Sequence, residues 1–174
     1  KMSKIENGGV LDVRDIAEDL ALDIAKIENI GMLIESDESQ VLLKNCEKVN
    51  VGATVKIPKE VKIIAQNGEM KIDRDYLEGL LEAVAIMMNG SLTIENDVDI
   101  KLFDEKIYSI IVNGKLVCSK KLAGIVQSKG LVNGEIIKYN NDYKFFNGNF
   151  KLTNSFLKSL KPNSKLAFEQ LLII

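Results

Sequence analysis

The chain has 174 residues, of which 46% are hydrophobic and 28% charged, and its net charge is −2. By length that is one domain, or at most a tight pair, with enough apolar material for a core. It contains no histidine and no tryptophan, which excludes His-based triads, His-ligated metal sites and the usual general base near neutral pH. From the N-terminus, Lys1-Met2-Ser3-Lys4-Ile5-Glu6 has no apolar run of the signal-peptide kind. Met2 is read as the native start and a cytoplasmic location is expected. A phrase built on Asn7 and Gly9 follows, then a helical spacing over 13–26 with Ile16, Leu20 and Ile24 on one face. Asn29-Ile30-Gly31 comes next, with a short helix over 36–45, then Asn50-Val51-Gly52 and a turn at Pro58. Asn67-Gly68 precedes a helix capped by Asp73 that buries Tyr76, Leu77 and Leu80. Asn89-Gly90 and Asn113-Gly114 follow. Ser119 is placed to cap a helix over 120–127 that buries Leu122, Ile125 and Val126. Asn133-Gly134 leads to a turn at Asn140-Asn141-Asp142, and Asn147-Gly148 to a helix over 155–161. Thr153 or Asn154 caps that helix, Phe156, Leu157 and Leu160 are its buried stripe, and Pro162 stops it. The chain then runs into an apolar stretch from Leu166 to Ile174.

These phrases form a repeat. The glycines at 9, 31, 52, 68, 90, 114, 134 and 148 are spaced 14 to 24 residues apart, and the second residue after each is apolar except Thr54. Each long unit reads strand, Asn-Gly turn, strand, short helix. The expected fold class is an α/β repeat: a right-handed parallel β-solenoid with short helices in most coils. The alternatives are repeated ββα hairpin units, since Asn-Gly is also the strongest hairpin signal, and a leucine-rich-repeat-like solenoid. The solenoid would be one domain, 1–174. It has about eight repeats (5–26, 27–48, 49–61, 62–85, 86–109, 110–130, 131–144, 145–165) and a C-terminal cap over 166–174. The structural turns are Asn67-Gly68, Asn89-Gly90, Asn113-Gly114, Asn133-Gly134 and Asn147-Gly148.

The phrase Val112-Asn113-Gly114-Lys115-Leu116-Val117-Cys118-Ser119 and its equivalents resemble the short solenoid repeat proteins of low-GC Gram-positive bacteria, β-helix-like or leucine-rich-repeat-like. The leucine-rich consensus places an apolar residue two positions after Asn, where this chain has Glu69, Ser91 and Lys115. Bactofilin-like coils lack helices, unlike the pattern here. The resemblance implies a repeat architecture, and no catalytic residue follows from it.

Little chemistry stands outside the repeat. Only two arginines, Arg14 and Arg74, are present and no basic block, so nucleic acid is not an expected partner. No apolar run approaches the roughly 20 residues of a membrane span. Cys46 and Cys118 lack ligand spacing and read as small buried hydrophobes, with Cys118 beside Lys120 and Lys121 the better thiol. The acidic groups Asp73 and Asp75, Asp97 and Asp99, and Asp104 and Glu105 could serve a carbohydrate or Ca²⁺ site as paired carboxylates, although Asp73 and Asp75 suit a helix N-terminus and Asp97-Val98-Asp99 lacks the glycine and distal glutamate of an EF-hand. No catalytic, cofactor-binding or metal-ligating residue is assigned, and no cofactor is expected. The expected function is a non-catalytic scaffold for protein interaction or self-association, a homodimer through Phe168, Leu171, Leu172, Ile173 and Ile174. A carbohydrate-binding or carbohydrate-cleaving groove and a filament-forming protein are the alternatives.

Overall fold

The computed structural model describes residues 3–173. They fold into strands and short helices in the order β1 (Ser3–Asp12), α1 (Glu18–Asp23), β2 (Ile24–Glu35), α2 (Asp37–Leu42), β3 (Glu47–Lys56), β4 (Lys62–Ile72), α3 (Arg74–Glu78), β5 (Val84–Ile94), α4 (Ile100–Lys106), β6 (Ile107–Ser119), α5 (Ala123–Lys129), β7 (Gly130–Tyr139), β8 (Lys144–Leu152), α6 (Asn154–Ser159) and β9 (Leu166–Ile173). The chain divides between Lys62 and Ile63 into two compact units. The first holds the sheet β1-β2-β3, and the second holds the sheet β4-β5-β6-β7 together with the pair β8-β9.

The architecture is α/β, with parallel pairing between β1 and β2, β2 and β3, β5 and β6, β6 and β7, and β8 and β9. Leu116 pairs with Leu92 on one side and Ile136 on the other. Ile110 and Ile111 pair with β5 and β7, not back onto Leu116. The hairpin alternative is therefore overturned. A parallel connection needs a crossover, and the short helices supply it.

A second correction concerns the Asn-Gly phrase. It does not separate two strands, because Asn89-Gly90 and Asn113-Gly114 lie inside β5 and β6, each one continuous strand. The ladder runs through the phrase in register, Asn89 with Asn113 with Asn133, and Gly90 with Gly114 with Gly134. Identical bends stacked on one another keep their backbone groups paired, so a bend does not end a strand. The two sheets bend differently. In the first unit the asparagines take the positive φ, at 62° for Asn7, 56° for Asn29 and 53° for Asn50. In the second unit glycine takes it, at 95° for Gly68, 131° for Gly90, 134° for Gly114 and 145° for Gly134. In Asn29-Ile30-Gly31 and Asn50-Val51-Gly52 a β-branched residue follows Asn and leaves Asn at the tight position, and Asn7 stacks on the same bend although Gly8 follows it. Asn is the non-glycine residue that tolerates that conformation best.

Asparagine side chains join the strands along each column. Asn29 Nδ2 donates to Asn7 Oδ1 at 3.2 Å and Asn50 Nδ2 to Asn29 Oδ1 at 2.8 Å. Asn89 donates likewise to Asn67 at 3.2 Å and Asn113 to Asn89 at 3.1 Å. Inside the bend, Ile27, Ile30, Leu33 and Leu43 form the core of the first unit. Ile86, Met88, Leu92, Phe103, Leu116 and Cys118 form that of the second.

The helices are shorter than their sequence patterns. In α1, Ala21 is buried but Leu20 is about half exposed, and Ile24 already opens β2. The expected Ile16-Leu20-Ile24 stripe is thus broken, because the chain needs an extended backbone to pair from Ile24 onward. Asp73 caps as the sequence implies, accepting from Tyr76 N–H at 2.8 Å, and Ser36, expected inside its helix, caps it through a capping box. Thr153 accepts from Phe156 N–H at 3.1 Å. Ser119 does not cap. A turn intervenes, α5 starts at Ala123, and the Ser119 hydroxyl is buried without a partner among the described residues. The helix α4 is absent from the sequence reading. Its signal is Asp99, which accepts from Leu102 N–H at 2.7 Å, followed by Phe103 as the buried anchor.

Candidate functional site

The eighth phrase departs from the column. Gly148 has no glycine carbonyl against it, whereas Gly134 sits on the carbonyl of Gly114. Strand β8 instead joins β9 in a separate two-stranded sheet. That sheet lies against the outer face of the limb that β5 and β6 form after their glycines. Alternation explains the fit: Leu92 and Leu116 point into the main core, so Thr93 and Val117 point the other way. Both are buried at about 1% and 0% exposure. Val117 packs with Tyr139 and Phe145, flanked by Ile137, Tyr143 and Ala167.

Polar contacts hold the layer in place. Asn147 Nδ2 donates to Thr93 Oγ1. Asn96 Nδ2 donates to Tyr143 O at 2.7 Å, and Tyr139 Oη–H to Ile94 O at 2.6 Å. Burial holds the Tyr139 phenol well above the usual tyrosine range, so it remains a donor. Glu169 on β9 accepts from Lys115 Nζ at 2.7 Å and 2.8 Å and from Gly148 N–H at 2.7 Å. The Lys115 hydrogen bond, then the Gly148 N–H, holds the Glu169 carboxyl below its ordinary value of 4.5. The bound form is the ionised one, so this contact is present above pH about 4.5 and is lost as pH falls through the lowered pKa. Acid titration followed by the Gly148 amide shift is expected to show one inflection below pH about 4.5, absent in Glu169→Gln.

On the other face of this pair, four phenylalanines cluster. Phe168 stacks on Phe146 at 5.3 Å and tilts against Phe150 at 5.2 Å, and Phe156 meets Phe150 edge-on at 4.8 Å. Of the expected interface residues, Phe168 is thus half-buried within the chain. Leu171, Leu172 and Ile173 remain 37%, 45% and 75% exposed on the last strand, and Ile174 lies outside the described residues.

The acidic groups do not converge. Asp73 and Asp99 are N-caps, and Asp97 accepts from Arg74 N–H at 3.1 Å. Asp75 lies in the first turn of α3, and Asp104 pairs with Lys129 at 2.9 Å. Among the described residues no group of three His, Cys, Asp or Glu could hold a metal ion. This geometry carries no support for a carboxylate pair across a sugar. Both cysteines are free and buried, and burial pushes the Cys118 thiol up to about 11, far from the thiolate that reactivity needs. No helix among the described residues is long and apolar enough to cross a membrane. No protein-family model matches the chain, and no curated protein or solved structure matches it significantly.

Proposed function

We propose that the protein is a non-catalytic repeat scaffold for protein interaction, a parallel β-solenoid of right-handed winding that self-associates through its C-terminal strand. The observation that carries this reading is the exposed apolar run Leu171-Leu172-Ile173 on β9. Strand β9 has β8 as its partner in a two-stranded sheet, and an apolar edge strand is a template for pairing with another chain. The glycine columns, asparagine ladders and helix caps support a structural role for most polar positions of the chain.

Light scattering across a concentration series tests the self-association. The parent chain is expected at twice its monomer mass, and Leu171→Asp with Ile173→Asp at the monomer mass with its circular dichroism unchanged. A parent that stays monomeric at every concentration sinks this reading.

A further inference from the structure

The outer edge of β1 is shaped for a strand that the described residues do not supply. In the first unit Gly31 and Gly52 make room for the carbonyl of the strand before them. A Cβ on Gly31 would stand 2.7 Å from Gly9 O, and one on Gly52 would stand 2.6 Å from Gly31 O. Gly9 occupies the same column on the outermost strand. A Cβ there would meet nothing within 4 Å, and its φ lies outside the left-handed region. Among the described residues neither packing nor backbone conformation asks for glycine at that position.

The asparagine column points the same way. Each Nδ2 donates to the Oδ1 of the strand before, so Asn7, which accepts from Asn29, is left with its own Nδ2 at the outer edge. Among the described residues no acceptor lies on it. The core column is open there too. Ile5 and Leu11 pair with Ile27 and Leu33, which are fully buried, yet Ile5 and Leu11 are themselves half-exposed. They line a cavity of about 460 Å³ with Ile16, Leu20 and Ile24, and with Arg14 and Lys59.

We infer that the β1 edge docks, in parallel register, an extended segment of a partner polypeptide carrying the pattern apolar-x-Asn-x-Gly-x-apolar. The inference rests on the interaction-scaffold reading and names the partner chemistry. The partner's Asn Oδ1 accepts from Asn7 Nδ2, its glycine carbonyl enters the space above Gly9, and its two apolar residues cover Ile5 and Leu11. Backbone pairing along the edge supplies the rest of the affinity. The pattern is that of β2, Ile27-Glu28-Asn29-Ile30-Gly31-Met32-Leu33. It is not that of β3, where Lys48 and Thr54 stand at the apolar positions. It also differs from β5, whose Asn89-Gly90 bends at glycine.

A fluorescent peptide of residues 24–35, titrated into the full chain by anisotropy, tests this. Saturable binding is expected, with peptides of residues 47–56 and 84–94 at least about tenfold weaker, as loss of one good hydrogen bond or apolar contact implies. Gly9→Ala is expected to keep the parent melting temperature and to weaken peptide binding by about tenfold or more, because its methyl would face the incoming carbonyl. The inference is overturned by a 24–35 peptide that does not bind, by equal binding of the 84–94 peptide, or by binding indifferent to Gly9→Ala. A loss of melting temperature in Gly9→Ala overturns it as well, since glycine would then have an internal role. If Gly9→Ala lowers the mass of a self-associating parent that takes no peptide, the occupant is a second copy and the inference fails. A parent that dimerises through β9 and takes no peptide loses this inference alone. A monomeric parent that binds the peptide loses only the C-terminal contact.

Discussion

Gly114→Ala is expected to unfold the second unit or to cost it about 4 kcal/mol or more. Two independent requirements meet at this residue. Its φ is 134°, where a side chain is strained, at a cost of about 1–3 kcal/mol. Its added Cβ would also stand 2.1 Å from Gly90 O, a main-chain atom of the neighbouring strand. Main chain cannot swing aside as a flexible side chain does, so the clash must be relieved by opening the ladder. That ladder continues on the other side, since Gly134 makes the same demand of Gly114 at 1.9 Å. The internal control is Gly148→Ala. Gly148 also has a positive φ, of 69°, but nothing lies within 4 Å of the added carbon. Its expected cost is about 1 kcal/mol, from strain alone. Chemical denaturation followed by circular dichroism checks both variants. Equal effects of the two would mean that φ alone decides the requirement for glycine.

Leu116→Ala is expected to destabilise the same unit by about 3 kcal/mol or more, within the usual range for emptying a fully buried leucine site. Leu116 is 0% exposed and sits between Leu92 and Ile136 on its two flanking strands. Stacked side chains of that kind cannot collapse into the vacancy without shifting two other strands, which places the site toward the costly end. The contrasting variant is Leu131→Ala on β7, whose side chain is 44% exposed. Its expected effect is under about 1 kcal/mol, because little apolar surface leaves water there on folding. Thermal and urea unfolding of both variants test the pair. A Leu116→Ala effect as small as that of Leu131→Ala would remove the central column from the core.

The parts of this fold legible in the sequence are those set by local chemistry. Asp73 and Thr153 cap because a short oxygen-bearing side chain before a helix meets the free N–H groups of its first turn. The apolar residue two places after glycine enters the core in β5 and β6 because strand alternation leaves it no other side. Where local patterns compete, the reading fails. Val13 to Ile24 carries a helical period, yet pairing with β1 draws Ile24 into a strand. Asp97-Val98-Asp99 reads as an acidic alternation, and the helix it opens emerges only once Asp99 meets Leu102 N–H.

From the sequence alone came the repeat, its glycine and asparagine columns, the α/β character and the lack of histidine chemistry. These depend on residue type and spacing along the chain. Only the tertiary structure decided that the strands run parallel through their bends. It also decided that the N-terminal phrases bend at asparagine and the later ones at glycine. It alone placed Asn147-Gly148 on the back of β5 and β6, outside the glycine column. The physical reason is that backbone hydrogen bonds do not distinguish one strand partner from another. Asn147-Gly148 looks like the other copies in sequence. What separates it is the phenylalanine cluster and the Lys115–Glu169 contact, both made by residues distant in the chain.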